Sequence, residues 1–492
     1  MAIHFGTDGW RGVISDTFTF SSLRQVTQAI ADAVASEEWL DGHGQVPSNP
    51  QRMVVGFDTR FLSDRYAVEA ARVLAANGYR VSLTTADIPT PVLSFAVRGL
   101  GAIAGLMITA SHNAPRYSGV KLKAGYGGSA SPEQCRRVEV YLTDNESRAR
   151  GPNVMDYEAA RAQGLIQRFS PVPEYEAHLR TLIDFDRIAA RPERVVVDSM
   201  YGSGRGMVKN LLLGTGCQVT EIRGEMNPGF GGIHPEPIAR YLGPLASAIA
   251  AGHGRLGLAT DGDADRIGAM DGRGQFVDPH RILALTLRYL VERRGWRGKV
   301  IKTVSTTQML DRLAARYGLE VVETPVGFNH IAEHMLGGDV LLGGEESGGI
   351  SIQGHLPEGD GVLMALLLVE MVAAMEAPLE DLVEDLLREA GPSHYTRVDL
   401  RLAAPVSKTR MVERLTHAAP AAIGGVSVTQ VNTLDGVKYT LADESWLLIR
   451  PSGTEPVLRV YAEAREPGMV EALLAFGRGA QSASARGSVP SL

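Results

Sequence analysis

Cysteine is almost missing from this chain of 492 residues, which carries only Cys135 and Cys217. Two thiols cannot form a disulfide framework for a protein of this size. They read as ordinary thiols of a reducing compartment, and the fold must rest on buried apolar cores. The opening "MAIHFGTDGW" has neither the basic start nor the apolar stretch of a secretion signal. Long hydrophobic runs are lacking too: "GLGAIAGLMITAS" and "GVLMALLLV" fall short of the ~20 residues a membrane helix needs. No block of lysine and arginine stands out, and the formal net charge is -7. These gaps argue against a nucleic-acid or membrane partner. They lead us to expect a cytoplasmic protein that meets anionic ligands with a few placed cations.

What the chain does have is length, glycine and alternation. At 492 residues it is too long for one core. Its 55 glycines spread along the whole length, which fits many tight turns. Strand-like and helix-like stretches alternate from "MVVGFDTR" (53–60) to "DVLLGG" (339–344), in three rounds without visible sequence identity. That pattern predicts α/β layers with largely parallel sheets. After about residue 390 short strands and two helical stretches predict an α+β domain. Boundaries are expected near "SPVPEY", "DGRGQ" and "EAGPSHY", giving domains 1–170, 171–273, 274–391 and 392–492. The stretch "SEEWLDGHGQVPSNPQ" and the tail "QSASARGSVPSL" read as mobile.

Four stretches carry chemistry. "ITASHNAPRYSGVK" (108–121) puts Ser111 and His112 at the mouth of an apolar strand and ends on Lys121. Flanked by Thr109 and Asn113, Ser111 does not fit the G-x-S-x-G elbow of serine hydrolases. "TDGDADR" (260–266) places Asp261, Asp263 and Asp265 at alternate positions, on one face of an extended backbone. Three such carboxylates repel unless a hard divalent cation sits among them, so they read as serving an ion rather than a core. A calcium EF-hand starting at Asp261 would need Gly sixth and Glu twelfth, where the chain has Arg266 and Gly272. "GGEESGG" (343–349) offers carboxylates that accept hydrogen bonds from sugar hydroxyls. "IRPSGTEP" (449–456) combines the fork of Arg450 with hydroxyls and a glycine, as an anion nest would.

Taken together, "FGTDGWRG", "TASHNAPRYSGVKLK", "DGDADR", "GGEESGG" and "RPSGTEP" resemble, in this order, the α-D-phosphohexomutase family. That family includes phosphoglucomutase, phosphomannomutase and phosphoglucosamine mutase. The resemblance implies three similar α/β/α layered domains and a C-terminal α+β domain around a central cleft, each giving it one loop. It implies a phosphoryl group carried on Ser111, Mg²⁺ held by Asp261, Asp263, Asp265 and the phosphoserine, and Lys121 as general acid/base. Arg11 and His112 would assist, and Arg266 and Thr306 would touch substrate. Glu345 and Ser347 would read sugar hydroxyls, while Arg450, Ser452, Gly453 and Thr454 would grip the phosphate that is not reacting.

The implied reaction interconverts hexose 1-phosphate and hexose 6-phosphate through hexose 1,6-bisphosphate, with glucose 1,6-bisphosphate as primer. Glucose is the expected sugar, with mannose accepted. Phosphoglucosamine mutase is the alternative within the family; a sugar-phosphate sensor and a phosphatase are alternatives of other classes. The partners implied are small sugar phosphates, for a monomer or homodimer. Three positions depart from familiar members. Asn329 stands where many have lysine, with His330 as a candidate substitute; Gly349 stands where some have histidine, and Gly359 where close relatives often have arginine.

Overall fold

The apolar stretches read from the sequence are assembled into four sheets, one after another along the chain. The computed structural model describes residues 3–6, 9–40, 47–402, 407–451 and 457–486, with side chains described up to Gly479. The first three sheets share one unit. A first strand pairs in parallel with a second strand on one side and a third on the other. The third then turns back into an antiparallel neighbour. In the first sheet these are Asn49–Phe57, Arg80–Thr84, Ala102–Ile108 and Tyr117–Ala124. In the second they are Arg194–Asp198, Gln218–Ile222, Leu256–Thr260 and Ile267–Met270. In the third they are Lys299–Thr303, Val321–Thr324, Val340–Gly344 and Ile350–Ile352.

The sheets are therefore mixed: parallel at the core, as the alternation predicts, with an antiparallel return after the third strand, beyond which the first and second sheets add further antiparallel strands. The core strands Ala102–Ile108, Leu256–Thr260 and Val340–Gly344 are buried along their whole length, as strands covered on both faces must be. Helices such as Ser63–Ala76 and Thr90–Gly99 make the parallel crossovers. "GVLMALLLV" lies in the helix Gly361–Met375, buried almost throughout in a core shared by the first three sheets, which explains an apolar composition on every face. Among the described residues no single helix is long and apolar enough to cross a membrane.

The fourth sheet is antiparallel throughout. It runs in the order His394–Arg401, Val457–Ala464, Trp446–Pro451, Val437–Leu441, Val426–Asn432 and Ala422–Ile423. The helices Lys408–His417 and Pro467–Arg486 accompany it.

Local readings differ from the structure in a few places. "DGRGQ" is a hairpin turn, closed by the Gln275 N–H to Asp271 Oδ1 at 2.8 Å, and the strand Phe276–Val277 beyond it belongs to the second sheet. The expected boundary at 273 therefore cuts a hairpin. The stretch "SDRYAVEAARVLAANG" suggests a serine cap for the helix Ser63–Ala76, but Leu62 takes the cap position and the Ser63 hydroxyl donates to Asp58 Oδ1 at 2.9 Å. Of the two stretches read as mobile, Glu37–Leu40 forms a helical turn with Trp39 buried, and the tail is helical to Arg486.

Candidate active site

In each of the first three units the chemistry-bearing loop lies where the third strand turns back. The carboxyl ends of parallel strands are the usual place for ligands in open sheets. Residues 109–116, 261–266 and 345–349 are these three loops.

Ser111 has φ 51°, an uncommon backbone for a residue other than glycine. Its hydroxyl donates to Asp261 Oδ2 at 2.9 Å, and His112 Nδ1 lies 3.4 Å from the same hydroxyl. Burial, with Arg266, Arg11, Lys121 and Arg60 around it, holds His112 well below its usual range, so the ring is neutral. Arg11 reaches the loop through Asn113 Oδ1 at 2.6 Å. The loop needs Gly262 opposite: a Cβ there would stand 2.5 Å from the Ser111 carbonyl.

One carboxylate oxygen from each of Asp261, Asp263 and Asp265 falls within 4.8 Å of the others. Lys121 Nζ is 2.9 Å from Asp263 Oδ2 and also bonds Asp265. Asp263 takes the Thr90 hydroxyl at 2.5 Å, which ties the second unit to the first. Asp261 Oδ1 accepts the N–H groups of Asp265 and Arg266 at 3.1 and 3.3 Å. Burial, then Asp265 and Asp263, push the Asp261 carboxyl well above the usual carboxylate range. Three buried carboxylates in one place call for positive charge. An all-oxygen donor set of three aspartates and a serine fits a hard divalent cation.

The third loop brings Glu345 and Ser347 together, with the Ser347 hydroxyl 3.4 Å from Glu345 Oε2. Glu345 Oε1 accepts the Gly327 N–H at 2.9 Å. Burial, reinforced by Glu346 and opposed by Arg266, raises Glu345 to about 7. Arg266 is thus in electrostatic reach of both His112 and Glu345, and it also lies 3.6 Å from Glu236. Thr306 is fully buried, its hydroxyl 2.8 Å from that of Thr303, beside Ser305, which donates to Glu346 at 2.7 Å. Gly348, at φ 98°, lets the loop lie against Ile267, whose N–H donates to the Gly348 carbonyl at 3.1 Å.

Arg450 is buried in the last domain, its Nε 2.7 Å from Asp435 Oδ2. Ser452, Gly453 and Thr454 lie outside the described residues. The departures also have structural settings. Asn329 is buried at the start of the helix Phe328–Leu336. Burial lowers His330, so it brings no charge at neutral pH and does not replace a lysine. A Cβ at Gly359 would come 2.8 Å from the Asp265 carbonyl and 2.9 Å from Gly349 Cα, so these two glycines pack on each other.

The sequence reading passed over Asp58, Arg60, Thr90 and Asp435. "DTR" directly after an apolar strand occupies the same strand-end position as the chosen loops and carries the same signal. Thr90 and Asp435 leave none, because their partners Asp263 and Arg450 are remote in sequence.

Comparison with known proteins identifies the family. Four domain families match in order: phosphoglucomutase/phosphomannomutase α/β/α domain I over residues 2–149, domain II over 173–274, domain III over 278–390, and the C-terminal domain over 403–476. A protein of Methanothermobacter thermautotrophicus described as a probable phosphoglucosamine mutase is 31% identical, over 94% of each chain. A phosphoglucomutase/phosphomannomutase of Thermococcus kodakarensis is 27% identical, over 96% of this chain and 97% of its own. The crystal structure of a protein described as a phosphomannomutase from Thermus thermophilus superimposes with a TM-score of 0.81 at 35% identity, covering 99% of this chain and 100% of that one. With matching domain families in sequence along the chain and a relative alike from end to end, this protein belongs to the α-D-phosphohexomutase family.

Proposed function

We propose that the protein is a Mg²⁺-dependent phosphohexomutase acting on glucose phosphates and also accepting mannose phosphates. The observation that carries this reading is the meeting of the Ser111 hydroxyl, the Lys121 ammonium and three aspartates at one point. In the active enzyme Ser111 Oγ carries a phosphoryl group. A hydroxyl of the bound hexose phosphate attacks that phosphorus, and the bond to Ser111 Oγ breaks. Lys121, once its ammonium has given up a proton, takes the hydroxyl proton on Nζ, and a proton returned from Nζ to the departing Ser111 Oγ leaves that residue as a hydroxyl. The resulting hexose 1,6-bisphosphate turns over in the cleft, and its other phosphoryl group passes back to Ser111 Oγ.

Asp261, Asp263, Asp265 and an oxygen of the phosphoserine would hold Mg²⁺, which when bound offsets charge on the transferring group. Arg11 and neutral His112 keep the loop and its phosphate in place. Arg266 and Thr306 serve the substrate side of the cleft. Glu345 and Ser347 accept and share hydrogen bonds with sugar hydroxyls in either orientation. Arg450, with Ser452, Gly453 and Thr454, grips the phosphate that is not reacting.

A substrate panel tests this: the 1-phosphates of glucose, mannose, glucosamine and N-acetylglucosamine, each with trace bisphosphate. The highest kcat/KM is expected for glucose, with mannose next. The relative described as a probable phosphoglucosamine mutase favours a second reading, which a higher kcat/KM on glucosamine 1-phosphate would establish. Phosphate release measured on the same preparation separates transfer from hydrolysis.

A further inference from the structure

A buried ion pair stands behind the serine loop, and none of the steps above uses it. We propose that Asp58 and Arg60 are positioning residues for phosphoryl transfer, which fix the backbone of Ser111 from both sides and so hold its hydroxyl at the aspartate cluster. The proposal rests on the reading of Ser111 as the phosphoryl carrier.

Both residues follow the strand Asn49–Phe57, which lies beside the strand leading to Ser111. Arg60 Nε is 3.1 Å from Asp58 Oδ2, and both side chains are fully enclosed. Arg60 Nη2 donates to the carbonyls of Ser111 and Asn113, each at 2.6 Å. Its Nη1 donates to the carbonyls of Ala114 and Tyr117, each at 3.0 Å. The guanidinium lies 4.8 Å from the centre of the Phe230 ring, which seals it from the second unit's side. On the other flank, Thr109 Oγ1 accepts the Ser111 N–H at 2.9 Å and donates to Asp58 Oδ2 at 2.7 Å. The C=O of Ser111 is thus held by Arg60 directly, and its N–H by Asp58 through Thr109.

This arrangement explains how Ser111 keeps a left-handed backbone. A non-glycine residue at such a φ persists only where its surroundings over-determine it. Stability alone does not account for the pair. Burial raises Asp58 to about 6 in spite of Arg60, and lowers Arg60 in spite of Asp58. Two enclosed charges of this kind gain little over an apolar filling, whereas their directional bonds specify one geometry. Lysine could not replace Arg60, because only the planar fork supplies donors to several carbonyls at once. Sugar and distal phosphate are met by other loops, so the pair should govern transfer and leave substrate binding alone.

The test uses the full chain, Arg60→Lys and Thr109→Val. It measures kcat and KM for glucose 1-phosphate, and the rate at which glucose 1,6-bisphosphate phosphorylates Ser111, read by intact mass. Arg60→Lys should lower kcat and the phosphorylation rate by about a hundredfold, the usual effect of misplacing a reacting atom by ~1 Å, with KM within about threefold. Thr109→Val removes one hydrogen bond and should lower both rates by about tenfold. A general structural role would instead lower the melting temperature while leaving kcat per folded molecule unchanged. The proposal is overturned if both folded variants keep kcat within about threefold, or if KM rises while kcat stays. Should Arg60→Lys fail to fold, Thr109→Val decides alone by the same criteria. If the unaltered chain takes no phosphoryl group onto Ser111, the functional reading itself is wrong and this role falls with it.

Discussion

Ser111 is held in an uncommon backbone and points its hydroxyl at Asp261, and among the described residues no other hydroxyl shares that position. Ser111→Ala should therefore remove at least about three orders of magnitude of kcat, roughly 4 kcal/mol of barrier. A variant keeping more than about a tenth of the activity would show that another group carries the phosphoryl. Glu345 gives a pH signature. It sits near 7 rather than at the carboxylate value of 4.5, because burial and Glu346 outweigh Arg266. Below about pH 7 it takes a proton and loses acceptor sites for sugar hydroxyls, so kcat/KM should fall on that side; Glu345→Gln should flatten the limb. The stability effect has the opposite sense. In the unfolded chain the carboxyl ionises near 4.5, while in the fold it keeps its proton to about 7. Its contribution is full below the lower value and lost as pH rises through the higher one. Melting curves should show Glu345→Gln gaining on the unaltered chain as pH rises from about 4.5 to about 7. A constant difference across that range would mean that Glu345 ionises normally.

At the scale of elements, the recurring part is a strand, a loop and an antiparallel return. The apolar strands were legible from composition alone, since a stretch such as "GAIAGLMI" is buried on both faces. The loops were legible because their residue types conflict with burial unless charge is met: three aspartates in "DGDADR" at the end of an apolar strand repel unless a cation sits among them. The recurrence was not legible, because pairing order depends on which apolar strands meet and not on particular side chains. The helix Phe328–Leu336 was also missed, because "TPVGFNH" opens it on a glycine at φ 135° without a capping side chain. The aspartate loop shows how structure changes an expectation. Read as serving only an ion, Asp263 should be replaceable without loss of stability. Instead it is buried and holds Lys121 and Thr90 across two units. Asp263→Asn should thus weaken Mg²⁺ dependence and also lower the melting temperature, because removing one partner of a buried pair costs up to ~3–5 kcal/mol. Here Asp265 remains on Lys121, so the loss should be smaller. Activity of the unaltered chain should vanish in EDTA and return with Mg²⁺. An unchanged rate in EDTA would exclude the metal.

Across the whole molecule, the last domain is fastened to the third beside the loops proposed to meet the substrate. Glu463 accepts the Thr307 hydroxyl at 2.5 Å and the Gln308 N–H at 3.0 Å, and Lys438 bonds Glu323 at 2.7 Å. Asp435 Oδ2 takes both Arg450 Nε at 2.7 Å and the Val326 N–H at 3.1 Å. The next residue, Gly327, donates to Glu345. One short stretch of the third domain therefore supports the loop proposed to read the sugar on one side and the arginine proposed to grip phosphate on the other. In the proposed reaction the same grip must serve hexose 1-phosphate and hexose 6-phosphate in opposite orientations. Arg450→Ala removes a charge-assisted contact of about 1.5–3 kcal/mol, so KM should rise about tenfold or more for both substrates, by similar factors. Asp435→Asn keeps the arginine but loosens its aim and the docking on Val326. It should raise both KM values by a smaller common factor. Both variants should let the bisphosphate escape more often and so need more of it added to sustain turnover. Steady-state kinetics in each direction, across a range of glucose 1,6-bisphosphate, decides the matter. A rise for one substrate only would break the shared-grip account, and an unchanged need for bisphosphate in Arg450→Ala would show that the last domain does not retain the intermediate.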